Sequence, residues 1–577
     1  ALGVRLFALA SWQESLYSDL LSQDERVYHA WATALVSGDA ALPPAPEFTP
    51  LYAWVMAFVY KIFSIDIHHI RILNIVFGVA TCILIGMIAK ALGGRWAGLL
   101  SGIIAALYKP FIFFSIAAMK TSLSMFLFAF SILLFIVSLD RPSSLRMVLL
   151  GAAMGLFAHV RANGIVLLWG MPLVFLLHRC RPEGIRKSAF PALALYAAGV
   201  LISVLPFAHR NMQISGSPAM AAAGGFNLYL GYQPDQASPY YRPAAFASSS
   251  VMQQGTGFVI EASRRSNRRL SIQEASRYWV VETARWAAAS PGEFFRKTLF
   301  KTLALFNRFE SADNYHIGFL GEAIPIFRWP LFEIWLLLPL GMAGVAATCR
   351  SGGIFRALHF VMALYAVTLV VFFTNVRIRL PLMVGLIPLA VIGVRIALRH
   401  LLGEDAMPGS SRFPAGYAMS LAAFFGLAFL PIEGAGDLTA HYNTHGAVLY
   451  AQGRQTEALH FWEQSSQMNG AYSPFAELSI ADHHFHRGDL RGTLLRLARV
   501  PEGSPAGAQK YARLGDVFAF QKRVDDAIRA YEKSLSINSG QRNVIRKLYR
   551  IYRRVDGEAA RRMAAKASYI AQFHGNP

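Results

Sequence analysis

Long apolar stretches dominate this chain, at about 71–90, 96–114, 116–138, 146–160, 163–178, 189–208, 329–349, 355–374, 380–398 and 415–431. Roughly 30 Å of hydrocarbon takes about twenty apolar helical residues to cross, and backbone polar groups inside it must be satisfied within the helix. The pattern predicts an all-α, polytopic membrane bundle. The opening "ALGVRLFALA" reads as the tail of a span whose beginning is missing or trimmed, not as a cleavable signal peptide, and brings the total to about eleven spans. Only 15% of residues are charged, against about 25% in soluble domains. The shorter, amphipathic "PLYAWVMAFVYKIF" (50–63) suits the interface plane.

Orientation follows from the loops. "KALGGR" (90–95), "DRPSSLR" (140–146), "RCRPEGIRK" (179–187), "CRSGGIFR" (349–356) and "RIALRH" with Arg412 are basic and alternate with loops that are not. The positive-inside rule makes the basic set cytoplasmic. Residues 20–70, about 211–327 and everything after Pro431 then lie on the outer side. That leaves cations on the wrong side: Lys109 and Lys120 around "KPFIFFSIAAMK", Arg161 in "VRANG", Arg210 in "PFAHRN", and Arg377 and Arg379 in "VRIRLP". Each alone is explained by snorkelling to headgroups. Six at different outer edges suit convergence on a lipid-linked phosphate, which Arg grips bidentately and Lys as a point charge. The net charge of +21 is spread among spans, so anionic lipid or a phosphate-bearing substrate is expected as partner, not nucleic acid.

The first outer loop carries "SQDERVYHAWATAL" (22–35), with Asp24, Glu25, Tyr28, His29 and Trp31. Two carboxylates in a helix's first turn are favoured by its dipole. At a membrane surface facing a basic phosphate site, one of them is also placed to act as a general base. The second outer region opens with "AAAGGFNLYLGYQPDQ" (221–236), which includes Asn227 and Tyr229, a ligand-closing loop or a plain turn. Residues 261–310 read as two amphipathic helices divided at Pro291, with Ser271 and Glu274 at capping-box spacing. Glu310 is either a second cavity carboxylate or a salt-bridge partner for one of the arginines.

After Pro431 the apolar runs stop and a helical repeat near 34 residues begins. Gly446, Ala458 and Trp462 recur as Gly515, Ala527 and Tyr531, and "YARLGDVFAFQKRVDDAIRAYEKSLSIN" has tetratricopeptide spacing. The expected division is a membrane domain over 1–431 and a repeat solenoid over 432–577, which offers a groove to a protein partner and does no chemistry itself. Cys82, Cys180 and Cys349 show neither metal-ligand nor disulfide spacing, and no Walker-type phosphate loop is present.

Taken in order, "DERVYHAWATALVSGD", "TPLYAWVMAFVYKIF", "HIRILNIVFG", "PFAHRN", "GGFNLYLGYQP" and "VRIRLPLM" resemble bacterial membrane glycosyltransferases related to protein O-mannosyltransferases and lipid A aminoarabinose transferases. The likeness covers roughly 1–400. It implies the C-type glycosyltransferase fold, a polyprenyl-phosphate-sugar donor, and an inner-membrane location with the large loops and repeats periplasmic. It implies Asp24 as catalytic base with Glu25 beside it, and Arg210 and Arg379, then Lys109, Lys120, Arg161 and Arg377, as holders of the lipid phosphate. The acceptor, whether protein, lipid or glycan, is left open. This chain departs from its relatives at Lys120, where many carry an acidic residue. No cofactor is implied, and Asp24 and Glu25 alone are too few ligands to argue for a divalent metal. The implied reaction is a single inverting displacement. The alternatives are an O-antigen-type ligase or polymerase working from a late outer loop, and a non-enzymatic scaffold acting through its repeats.

Overall fold

The computed structural model describes residues 1–38, 48–181, 184–185, 189–215, 218, 223–234, 236, 238–248, 251–310, 315–321, 324–402 and 415–571. The Pro-rich connection at 41–47, residues 221–222, 311–314 and Arg412 fall outside this set. The described chain is almost wholly helical, with one two-residue hairpin pairing Cys180–Arg181 and Gly184–Ile185.

The first half runs α1 (Leu2–Gln13), α2 (Gln23–Ser37), α3 (Pro50–Ile62), α4 (Ile67–Gly93), α5 (Arg95–Ala106), α6 (Lys109–Ile116), α7 (Thr121–Asp140), α8 (Ser144–Val160), α9 (Ile165–Arg179) and α10 (Ala189–Ser215). The segment between α10 and the last helices of the bundle contributes α11 (Gly224–Tyr232), α12 (Val251–Ser266), α13 (Ile272–Ala289), α14 (Pro291–Phe306) and a single turn, α15 (Ile317–Leu320). The bundle closes with α16 (Ile334–Thr348), α17 (Gly353–Val371), α18 (Val376–Leu401) and α19 (Ala415–Ala428). Among the described residues, six helices are long and apolar enough to cross a membrane; α3, α5, α8, α16 and α19 are apolar but shorter.

Three expected spans are corrected. The stretch 96–114 is two helices, because a continuous helix would need an N–H at Pro110 for the Ala106 carbonyl and would press the proline ring against it; the chain breaks at Leu107–Tyr108 and Pro110 falls in the first turn of α6, where its missing N–H costs nothing. The break at Leu107–Tyr108 is held by the Phe332 N–H donating to the Leu107 carbonyl and the Lys109 N–H to the Phe332 carbonyl. The stretch read from 116 starts its helix at Thr121, after a turn over Ala117–Lys120. The stretch from 329 becomes helical at Ile334. The 261–310 region contains parts of three helices, not two: its first residues complete α12, and α13 opens on the expected box, with the Ser271 N–H donating to the Glu274 carboxylate at 2.8 Å.

Close packing fixes α10 against α8. A methyl group on Gly151 would stand 2.0 Å from the Tyr196 carbonyl oxygen, so only glycine lets the two backbones touch. This contact carries Phe207 on α10 to the C-terminal end of α8, against His159.

Beyond residue 431 the helices pack in pairs, α20 (Thr439–Ala451) with α21 (Gln455–Gln467), α22 (Ser473–His486) with α23 (Leu490–Ala498), α24 (Gly507–Phe520) with α25 (Val524–Ile537), and α26 (Arg542–Val555) with α27 (Gly557–Ala571). The residues 69 apart play matching parts: Gly446 lies against the Trp462 ring as Gly515 lies against the Tyr531 ring. The paired helices touch the rest at both ends, through Tyr17 Oη and His445 Nδ1 at 2.5 Å and through Ser263 Oγ and Tyr569 Oη at 2.9 Å.

Candidate active site

Helix α2 starts at the N-cap Ser22, and its positions i, i+4 and i+7 place Asp24, Tyr28 and Trp31 on one face. All three are buried, and each meets a cation from a different element. Arg377, in the first turn of α18, forms an ion pair with Asp24 through Nη1 and Oδ2. Lys120, just before α7, stands with Nζ 5.7 Å from the centre of the Tyr28 ring. Arg210 on α10 is shared by two indoles, its Cζ 5.7 Å from Trp31 and 5.6 Å from Trp54 on α3.

Arg161, at the end of α8, braces this set. Its Nε donates to Ser124 Oγ and its Nη2 to the carbonyl of Arg377, both at 3.0 Å. Guanidinium and ammonium groups from the start of α7 and from α8, α10 and α18 thus gather along the face of α2 that carries Asp24, Tyr28 and Trp31. The sum is a field that favours an anion more highly charged than Asp24 alone. Burial first, and the Asp24 carboxylate next, push the Tyr28 hydroxyl far up its range, so it stays protonated.

The neighbouring carboxylate is built differently. Glu25 is fully buried and accepts the Ser22 N–H at 2.8 Å, the Ala118 N–H at 2.7 Å and the Tyr315 hydroxyl at 2.7 Å. It ties the start of α2 to the turn before α7 and to Tyr315. The S-x-x-E spacing of Ser22 and Glu25 signals this capping role in sequence.

Other expected site residues are placed elsewhere. Arg379, two residues past Arg377, is buried and gives its guanidinium to the carbonyls of Leu305 (3.2 Å), Asn307 (2.7 Å) and Phe309 (3.2 Å). Nη1 and Nη2 tether the 305–309 backbone to α18, while the buried Nε has no partner among the described residues. Lys109 pairs with Glu333 at the start of α16. Glu310 takes the Tyr108 hydroxyl at 3.2 Å, and among the described ion pairs it is not an arginine's partner as expected. Burial raises its carboxyl to about 7 in spite of the Arg379 charge nearby. His29 Nδ1 meets Tyr60 Oη at 2.8 Å, and burial lowers its pKa. Asn227 and Tyr229 sit on α11, where the Tyr229 ring packs 4.4 Å from Trp279 on α13. Neither is brought to Asp24 by any described contact.

Trp54, Ser124, His159 and Phe207 join the site without having been read from sequence. An indole or a serine in an apolar run carries no distinguishing pattern; only the packing of α3, α7, α8 and α10 reveals them. Among the described residues no three of His, Cys, Asp and Glu gather as a metal group.

With this geometry in place, residues 45–208 match the family model for dolichyl-phosphate-mannose-protein mannosyltransferases. The membrane part is thus similar, over that segment, to the lipid-phosphate-dependent glycosyltransferases to which its motifs point. The match takes in Lys109, Lys120 and Arg161; Asp24 precedes it, and Arg210, Arg377 and Arg379 follow it.

Among solved structures, ArnT from Cupriavidus metallidurans bound to undecaprenyl phosphate aligns at 11% identity over 95% of this chain and 79% of its own, with a TM-score of 0.41. The oligosaccharyltransferase AglB from Archaeoglobus fulgidus, in complex with an inhibitory peptide and a dolichol-phosphate, aligns at 13% identity over 77% and 58%, with a TM-score of 0.39. No curated protein matches the chain.

Proposed function

We propose that this protein is a membrane glycosyltransferase that moves a sugar from a polyprenyl-phosphate donor to an acceptor at the outer, periplasmic side of a bacterial inner membrane. The observation that carries the reading is one face of α2 on which Asp24 pairs with Arg377, Tyr28 meets Lys120 and Trp31 meets Arg210, with Arg161 bracing Arg377. The mannosyltransferase match supports it independently.

In this reading the lipid phosphate meets this cationic face and competes with Asp24 for Arg377. Transfer of Arg377 to the phosphate releases Asp24 to take the proton of an acceptor hydroxyl or amine. The acceptor attacks the anomeric carbon from the face opposite the phosphate, the bond to phosphate breaks, and polyprenyl phosphate leaves with its new charge held by Arg377, Arg210 and Lys120. One displacement inverts the anomeric centre. Glu25 serves as a brace for α2, not as a second catalytic acid. The paired helices after 431 form a second domain of tetratricopeptide type that faces the acceptor or a partner protein.

The test is a reconstituted assay. Purified protein in liposomes is given radiolabelled polyprenyl-phosphate sugars and a membrane and periplasmic extract as acceptor. Labelled product together with free polyprenyl phosphate supports the proposal; donors that remain intact across a panel of hexoses and pentoses overturn it.

A further inference from the structure

One buried imidazole near this site is unused by the proposed chemistry. His159, in the last turn of the apolar helix α8, is 0% exposed, and neither Nδ1 nor Nε2 has a hydrogen-bond partner. An unsatisfied polar group inside an apolar bundle is costly, and ionisable side chains at such depth mark functional positions.

Its surroundings lead to Asp24. The imidazole lies 4.1 Å from the Phe207 ring, tilted by 37°, Phe207 stacks 4.7 Å from Trp54, and Trp54 with Trp31 holds Arg210. The next residue, Val160, accepts Thr49 Oγ1 at 3.4 Å, and Thr49 is the N-cap of α3. The Trp31 indole Nε1, on the Asp24 face of α2, is a second buried donor without a partner. α8 and α2 therefore each carry a buried hydrogen-bonding group without a partner, linked to one another through Phe207, Trp54 and Arg210.

We propose that His159, with Trp31, forms the subsite that reads the sugar of the donor. This rests on the glycosyltransferase reading above and extends it to specificity. Trp31 Nε1 only donates, and a neutral imidazole both donates and accepts. A phosphate oxygen can only accept, and a polyprenyl chain does neither. A sugar hydroxyl does both, so hydroxyls of a sugar ring meet this complementary pair of groups. His159 is a positioning and specificity residue; the proton of the acceptor remains with Asp24.

The test compares lipids with and without sugar. Binding of undecaprenyl phosphate and of its hexosyl and pentosyl esters is measured on full-length protein in nanodiscs, for wild type, His159→Phe and Trp31→Phe. His159→Phe keeps a ring against Phe207 and deletes both nitrogens, so its thermal midpoint should be equal or higher. The expected result is a wild-type preference for one sugar ester over the bare lipid. In His159→Phe that ester should bind about tenfold more weakly while undecaprenyl phosphate binds as before. Trp31→Phe, which also changes the indole that holds Arg210, should weaken binding of both lipids, and of the sugar ester more than of the bare lipid. Unchanged affinities in His159→Phe, as when an ordered water alone fills the place, overturn the inference and leave the phosphate site standing. Equal weakening for sugar and bare lipid also overturns it, because that is a structural defect. If wild type binds none of the lipids, this inference and the donor reading fall together.

Discussion

Arg377, in the first turn of α18, holds Asp24, in the first turn of α2, so the candidate base is ion-paired by a cation that the proposed donor would claim. Removing one member of a buried pair leaves the other charge uncompensated, which typically costs about 3–5 kcal/mol. Arg377→Ala should therefore lower stability markedly, and adding Asp24→Asn should restore much of the loss. A double-mutant cycle on thermal midpoints in detergent checks this. Two additive losses would mean the pair does not bind its helices together.

Glu25 should behave as a brace. Glu25→Ala removes acceptors for the Ser22 and Ala118 amides and the Tyr315 hydroxyl, each a charge-assisted bond worth about 1.5–3 kcal/mol. A large fall in stability is expected. Glu25→Gln, which keeps an acceptor, should retain most activity in the transfer assay. A Glu25→Gln enzyme that is fully folded yet inactive would return catalysis to Glu25.

Arg210 stands between two indoles and faces no carboxylate among the described ion pairs. Arg210→Ala should raise the donor KM by tenfold or more, while Arg210→Lys, which keeps the charge but not the bidentate fork, should fall between. Steady-state kinetics over a range of donor concentrations separate the KM effect from kcat. A change in kcat alone would place Arg210 outside the donor site.

Glu310 makes stability depend on pH in a definite direction. Its folded carboxyl titrates at about 7, above the ordinary 4.5, so between these values the folded chain binds more protons than the unfolded one. Its contribution is therefore greatest below about 4.5, falls as pH rises toward 7, and is flat above. Glu310→Gln should flatten the pH profile of the thermal midpoint over that window and raise the midpoint at pH 8. A profile of unchanged slope would contradict the account.

The apolar runs made the helical membrane class legible, and the 69-residue recurrence located Gly446 and Gly515 in matching places. The break at Pro291 was legible, whereas Pro110 lay inside a stretch read as one span, because its apolar neighbours masked it. The site was half legible. Asp24 and Glu25 are adjacent and chemically alike, so separating them depends on which carboxylate faces amides and which a guanidinium; only the Ser22–Glu25 spacing hinted at it. Arg377 and Arg379 differ for the same reason. Two residues apart on a helix they point about 200° apart, one toward Asp24 and one toward the 305–309 carbonyls. Lys109 joined its expected partners only because Glu333, 224 residues away, was invisible as a neighbour.

The most direct measurement is transfer and donor binding side by side for wild type and Asp24→Asn. The substitution removes the base and releases Arg377. The account predicts transfer reduced by about 10²–10⁴-fold, with donor bound at least as tightly as by wild type. Asp24→Asn that transfers sugar at the wild-type rate would contradict the central claim.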